Sequence, residues 1–372
     1  MRILIPTVDY PPIEGGISTV ALQVSRVLAR QGHDVTVVAP AFPGMEAFDA
    51  AEPVTVVRFP GYDLGWFRLL PLLRTSWPLV ADTDLILAIN VAYGGILGRL
   101  AYARRGTPYI NFAYAYEFLK FGGNPVATMA LRSIYRNGLR CIAISRFTQE
   151  NLINFGVHES HIRIALPGAS PATAVPEITV AQARHELDLH EGPFVLAVGR
   201  FIPRKGHIRL VEALPYVQER VGAVQLVMVG RGPERERCVE KAHALGIEGS
   251  VRCPGYVEED ILQALYQDCA CFALPTGQDD DGQVEGFGLV FTEAHAHGKA
   301  VVAGRSGGVT DAVLHDRTGI VVPSKDADRL VEALAALLQD PDHAATLGKA
   351  GLDRVRDTLN WDRFTEQVLA DD

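Results

Sequence analysis

Two glutamates with seven residues between them, Glu285 and Glu293, bracket the run Gly286-Phe287-Gly288-Leu289-Val290-Phe291-Thr292. The spacing is about two helical turns, so a helix beginning near Phe287 carries Glu293 on its second turn and leaves Glu285 just ahead of its start. Glycines at 286 and 288 let a ligand approach the backbone closely. The first amides of such a helix, from Phe287 through Leu289 and Val290, have no partner within it and suit a phosphate. Carboxylates on either side of an anion site fit an activated sugar, with sugar hydroxyls near Glu285, a diphosphate at the helix start and a ribose at Glu293.

Cations for that diphosphate stand in Val198-Gly199-Arg200-Phe201-Ile202-Pro203-Arg204-Lys205-Gly206, directly after the strand-like run Phe194 to Gly199. Ligands of open α/β sheets bind outside the carboxyl ends of strands, where Arg200 and Lys205 would neutralise a leaving diphosphate; a surface salt bridge is the plainer alternative. Near the N-terminus, Gly15 and Gly16 lie between the apolar run Arg2 to Val8 and a helical pattern from Ile17 to Arg30. They form either a tight turn or an amide loop facing the diphosphate. No third glycine completes a dinucleotide fingerprint there or at Gly230-Arg231-Gly232, which argues against a Rossmann dehydrogenase.

The elements that must position these groups alternate. Strand patterns at Val35 to Ala39, Val54 to Phe59, Asp84 to Asn90, Pro108 to Tyr114, Cys141 to Ile144 and Ile162 to Leu166 are separated by helical ones, and the same alternation runs from Phe194 to Val322. This order predicts parallel sheets. Ser145 reads as the cap of a helix ending at Gly156. The run Pro167-Gly168-Ala169-Ser170-Pro171-Ala172-Thr173-Ala174-Val175-Pro176 reads as a linker, dividing the chain into a domain over 1–170, a linker over 171–185, a domain over 186–355 and closing helices over 356–372.

The Glu, seven residues, Glu element with its Gly-Phe-Gly-Leu resembles the donor-binding signature of the retaining glycosyltransferases of family 4, which have the two-domain GT-B fold. Three further segments match in order: Gly15-Gly16, the Arg200 to Gly206 stretch, and Cys141-Ile142-Ala143-Ile144-Ser145-Arg146-Phe147-Thr148. The resemblance implies two Rossmann-like α/β domains with parallel sheets facing a central cleft, the last helix crossing back to the first domain. It implies transfer of a hexose from a UDP- or GDP-sugar to a hydroxyl of a glycan, lipid-linked or small-molecule acceptor, with anomeric retention and no metal or other cofactor. Glu285, Arg200 and Lys205 are the expected catalytic residues. Gly15, Gly16, Gly286, Phe287, Gly288, Leu289, Val290 and Glu293 are the expected donor contacts. Where many members carry a histidine that orients the sugar, this chain has Tyr114 in Phe112-Ala113-Tyr114-Ala115-Tyr116-Glu117; Tyr114 or Tyr116 would offer a hydroxyl, and Glu117 would serve the acceptor. A front-face displacement, with the leaving phosphate taking the acceptor's proton, needs no strong base and accommodates that change. A sugar-nucleotide epimerase or hydrolase on the same fold, or a non-catalytic nucleotide-sugar binding module, are the rival readings.

Composition is consistent with such an enzyme. A chain of 372 residues with 48% hydrophobic and 21% charged residues is long enough for two cored domains, and a net charge of -9 argues against nucleic acid as partner. The charge is uneven: ten Lys and Arg stand against four acids from Arg58 to Arg140, leaving that segment at +6 and the remainder at -15. Inside it, the 61–79 stretch holds two Trp, a Phe and six Leu beside Arg68 and Arg74. It reads either as a loop and short helix packed on the sheet or as a patch resting on a membrane or a lipid-like acceptor. No apolar run reaches a membrane-spanning length and no signal peptide pattern opens the chain, so a cytoplasmic enzyme, either free or at the inner face of the membrane, is expected. The five cysteines read as reduced, mostly buried thiols. Asp279-Asp280-Asp281 invites a metal reading that the nearby cations make unnecessary, and His295 and His297 read as packing or surface residues.

Overall fold

The computed structural model describes residues 1–114, 117–118, 124–172 and 174–370. It divides into two compact units, one formed by Met1–Pro167 with the chain from Trp361 onward, the other by Gly168–Asn360.

The first unit is a seven-stranded sheet built from β1 (Arg2–Pro6), β2 (Asp34–Pro40), β3 (Thr55–Phe59), β4 (Leu85–Ala88), β5 (Tyr109–Ala113), β6 (Arg140–Ala143) and β7 (Ile162–Ile164). Their order is β3-β2-β1-β4-β5-β6-β7, and every pairing is parallel. Central strands such as β4 and β5 are buried along their whole length, which is why they read as continuous apolar runs rather than alternating ones. The helix Gly16–Arg30 starts one residue ahead of its apolar pattern, and Ser145 caps Arg146–Asn154 by accepting from the Thr148 amide at 3.1 Å.

The closing helix Trp361–Leu369 belongs to this unit. Phe364 is fully buried 6.2 Å from Phe112 of β5, and Arg140 and Arg163 donate to the Ala370 carbonyl at the helix end.

The second unit is a six-stranded parallel sheet of β8 (Phe194–Val198), β9 (Gln225–Val229), β10 (Val251–Gly255), β11 (Cys271–Leu274), β12 (Val301–Arg305) and β13 (Gly319–Pro323), ordered β10-β9-β8-β11-β12-β13. In both units the first strand lies beside the fourth, so the chain winds one way from it and then the other. That reversal opens a crevice at the carboxyl ends of the two neighbouring strands. The divisions fall after Pro167 and after Asn360, and most of the 171–185 stretch read as a linker is the helix Glu177–Glu186. Its apolar moment is weak, which explains why a polar run beside three prolines hid it.

Four of the five cysteines, Cys141, Cys238, Cys269 and Cys271, are buried and all five are free thiols. Substituting Phe364→Ala should remove about 3–5 kcal/mol from the first unit, because its ring fills a sealed contact between helix and sheet; a denaturant midpoint unchanged from wild type would contradict that packing.

Candidate donor site and family

In the second unit the reversal lies between β8 and β11, and the loops leaving those strands carry the charged residues. After β8 the chain makes a short turn over Pro203–Lys205, and Gly206 then caps the helix His207–Val221. After β11 the chain passes through the 275–288 loop to the helix Leu289–Ala296. Because the two strands are neighbours, residues 80 positions apart meet: Lys205 Nζ lies 2.6 Å and Arg204 Nη1 2.9 Å from the same oxygen, Oε2 of Glu285. All three side chains are 11–13% exposed.

Two cations on one carboxylate leave the cluster with a net positive charge. Burial opposes ionisation of Glu285, yet Lys205 and Arg204 together outweigh it and hold its carboxyl below the ordinary 4.5. Its main chain is equally pinned. The Glu285 amide donates to Ser306 Oγ at 3.3 Å, Ser306 donates to the Gly277 carbonyl at 2.9 Å, and the Gly308 amide donates to the Glu285 carbonyl at 2.9 Å. Gly307, at φ 50°, makes this possible, since a Cβ there would stand 2.1 Å from the Glu285 carbonyl oxygen.

The helix begins at Leu289, two residues later than its spacing suggests. Gly288 takes the left-handed conformation at φ 95°, and a side chain there would strike the Phe291 ring at 2.5 Å. Phe287 is buried, while Gly286, Leu289 and Val290 are half-buried. The amides of Leu289 and Val290 open the helix and have no intrahelical acceptor. Glu293, on the second turn, accepts from the Tyr266 hydroxyl at 3.1 Å, and burial pushes its carboxyl above the ordinary value.

Arg200 is exposed at the start of the β8 loop, whereas Arg204, which spacing did not single out, is the guanidinium on Glu285. Its signal in the sequence was its place beside Lys205 in a turn that Pro203 opens. Asp279 closes its own loop, accepting from the Gln283 amide at 2.7 Å. His295 is fully buried with Nε2 on the Thr318 carbonyl at 2.9 Å, so it is a packing residue.

In the first unit, Gly15 and Gly16 are exposed at the start of the helix Gly16–Arg30. At the β1/β4 reversal, Asn90 receives the Val8 amide at 3.0 Å and donates to Asp9 Oδ2 at 2.7 Å, a pairing that no motif announced. The Tyr114 hydroxyl is buried with no hydrogen-bond partner among the described residues; burial first, then Glu117 and Asp9, push it well above the ordinary 10. Glu117 is 6% exposed and accepts from the Tyr114 amide at 2.9 Å and the Tyr135 hydroxyl at 2.8 Å, so its carboxyl is turned inward to its own fold. Tyr116 lies outside the described residues.

The 61–79 stretch is packed on the sheet in part and exposed in part. Leu72 is fully buried and Trp77 packs against the core, while Leu64, Trp66, Phe67 and Leu70 are 48–73% exposed, with Trp66 stacked on Tyr93 at 5.5 Å.

Two parallel sheets with this strand order are the architecture of the GT-B fold. A model described as glycosyl transferases group 1 matches residues 181–354, and one described as glycosyltransferase family 4 matches residues 14–172. The GDP-mannose-dependent alpha-(1-6)-phosphatidylinositol monomannoside mannosyltransferase of Mycobacterium tuberculosis is 33% identical over 99% of this chain and 97% of its own. The protein of the same description from Mycolicibacterium smegmatis is 32% identical over 96% and 95%. Among solved structures, Anabaena HepE in complex with UDP and glucose superposes with a TM-score of 0.82 over 99% of this chain and 98% of that one, at 20% identity, a likeness of fold. The chain belongs to the family 4 glycosyltransferases and is a glycosyltransferase.

The lowered Glu285 carboxyl has a pH signature. Its favourable pairing is complete above the unfolded value near 4.5 and is lost as pH falls through the lower folded value. Glu285→Gln should therefore cost about 3 kcal/mol at neutral pH and progressively less below pH ~4, read from denaturation midpoints across pH. A difference constant with pH would show that the carboxylate is not ionised against Lys205 and Arg204.

Proposed function

We propose that this glycosyltransferase moves a hexose, with mannose from GDP-mannose favoured over glucose from a UDP-sugar, to a hydroxyl of a lipid-linked acceptor, with retention and without a metal. The observation that carries the reading is the Arg204–Glu285–Lys205 cluster beside the first amides of Leu289–Ala296. A nucleoside diphosphate is the ligand that this positive, glycine-walled crevice suits. Preference for GDP-mannose rests on the description of the relatives that match nearly the whole chain.

In this reading Lys205 and Arg204, with the exposed Arg200 from the same loop, neutralise the diphosphate as the bond from the anomeric carbon to phosphate oxygen breaks. The same cations orient Glu285 toward the sugar hydroxyls, Glu293 takes the ribose, and the amides of Leu289 and Val290 bind phosphate oxygens. The acceptor oxygen bonds the anomeric carbon on the face the phosphate leaves, and its proton passes to a phosphate oxygen. No side chain acts as a strong base, and because the cations supply the charge, no divalent ion is required.

A lipid-linked acceptor accords with the exposed Trp66, Phe67 and Leu70 in the basic segment of the first unit. Among the described residues no helix is long and apolar enough to cross a membrane; in this reading the exposed aromatic and leucine side chains rest on the cytoplasmic face of the membrane.

Thermal shift against GDP, UDP, ADP and their hexoses should single out one nucleotide, since a ligand at a hundred times its Kd adds about 2.7 kcal/mol. Transfer from that donor should survive EDTA and give a product of unchanged anomeric configuration by NMR. Glu285→Gln should lower kcat by about 100-fold with a smaller loss of nucleotide affinity. Loss of activity in EDTA that manganese restores would refute the metal-free reading, and sugar released to water alone would favour a hydrolase. Separately, the double substitution Phe67→Asp with Leu70→Asp should reduce sedimentation with anionic vesicles at least tenfold without altering the melting temperature by more than ~2 °C; unchanged sedimentation would remove the membrane contact.

A further inference from the structure

Glu293 sits on a prepared support in the second unit. Tyr266, on the helix Glu259–Asp268, donates its hydroxyl to Glu293 Oε2 at 3.1 Å, and its ring stacks close to parallel with two others, Phe272 of β11 at 5.8 Å and His297 at 5.0 Å. His297 is locked in turn. Its Nδ1 is 2.9 Å from the Glu293 carbonyl, its Nε2 is 2.7 Å from Gln263 Oε1, and the Gln263 amide donates to Glu259 at 2.6 Å. Two near-parallel ring contacts hold the tilt of the Tyr266 ring and aim its hydroxyl at one oxygen of one carboxylate. A tyrosine buried at 1% needs an acceptor for its hydroxyl, and Glu293 supplies it.

We propose that Tyr266 is the positioning residue for Glu293, holding the carboxyl by one oxygen so that the other is presented to the donor's ribose hydroxyls, with His297 as the clamp that keeps the Tyr266 ring in register. This rests on the reading of Glu293 as the ribose ligand. A carboxylate that is free to turn spends much of its time in orientations that miss a diol; one oxygen tied to a phenol that cannot move leaves a single acceptor geometry. Tyr266 does not touch the donor. Its effect is on discrimination between ribose and deoxyribose, a property that the anion cluster at Glu285 does not influence.

The test compares binding of GDP and UDP with their 2′-deoxy and 3′-deoxy counterparts by calorimetry, in wild type and in Tyr266→Phe, which removes one oxygen and keeps the ring. Wild type should prefer the ribonucleotide over at least one deoxy form by about tenfold, the loss expected for one charged hydrogen bond. Tyr266→Phe should erase most of that preference by weakening only the ribonucleotide, raising donor KM about tenfold with a smaller change in kcat. His297→Leu, which removes the stack and the imidazole's polar contacts, should reproduce the effect in part. If wild type discriminates and Glu293→Gln abolishes the preference while Tyr266→Phe retains it, the positioning role is overturned. Equal weakening of ribo and deoxy forms in Tyr266→Phe overturns it as well, because that is what general loosening of the fold would give. A wild type blind to the ribose hydroxyls instead removes the ribose role of Glu293 and the proposal with it.

Discussion

Two cations converge on one buried carboxylate oxygen in the second unit, and the surrounding chain is arranged to make that convergence possible. Lys205, Arg204 and Glu285 carry a net positive charge in a nearly dry place, where removing Glu285 would leave two cations uncompensated. The attraction keeps Glu285 ionised against its burial. It also leaves the cluster short of negative charge, and the glycine-walled helix start beside it has unpaired amides of the same polarity.

The parallel sheets explain why the cluster forms where it does. Side-by-side placement of β8 and β11 brings together loops whose residues are far apart in the chain, and reversal of winding at that point leaves room for a ligand. The first unit repeats the reversal between β1 and β4 with different chemistry. There the groups are acidic or neutral: Asp9 tied to Asn90, a buried Tyr114 hydroxyl, and Glu117 held by Tyr114 and Tyr135. Several basic residues of the first unit are bound to backbone carbonyls, as Arg132 is to Phe155 and Arg136 to Gly156.

Much of this was legible in the residues alone. Apolar runs separated by helical patterns specify parallel strands because strands buried on both faces must be apolar throughout, and the observed β1 to β13 follow them closely. The spacing of Glu285 and Glu293 around a glycine-bearing helix start is local geometry, so it too could be read from the chain. The helix Glu177–Glu186 was not, because its amphipathic signal is weak and the prolines before it mimic a linker.

By itself, then, the order of residues determined the alternation of elements, the glycines where the chain must turn and the pair of glutamates, since each depends on neighbours within a few positions. Only the tertiary structure decided that Arg204 rather than Arg200 meets Glu285, that Glu117 turns inward and that Tyr266 lies beneath Glu293. Those contacts join strands and helices whose separation along the chain says nothing about distance. Which of two arginines in one short loop faces the carboxylate depends on the turn at Pro203–Lys205 and on the strand beside it, and both are set by the packing of the whole sheet.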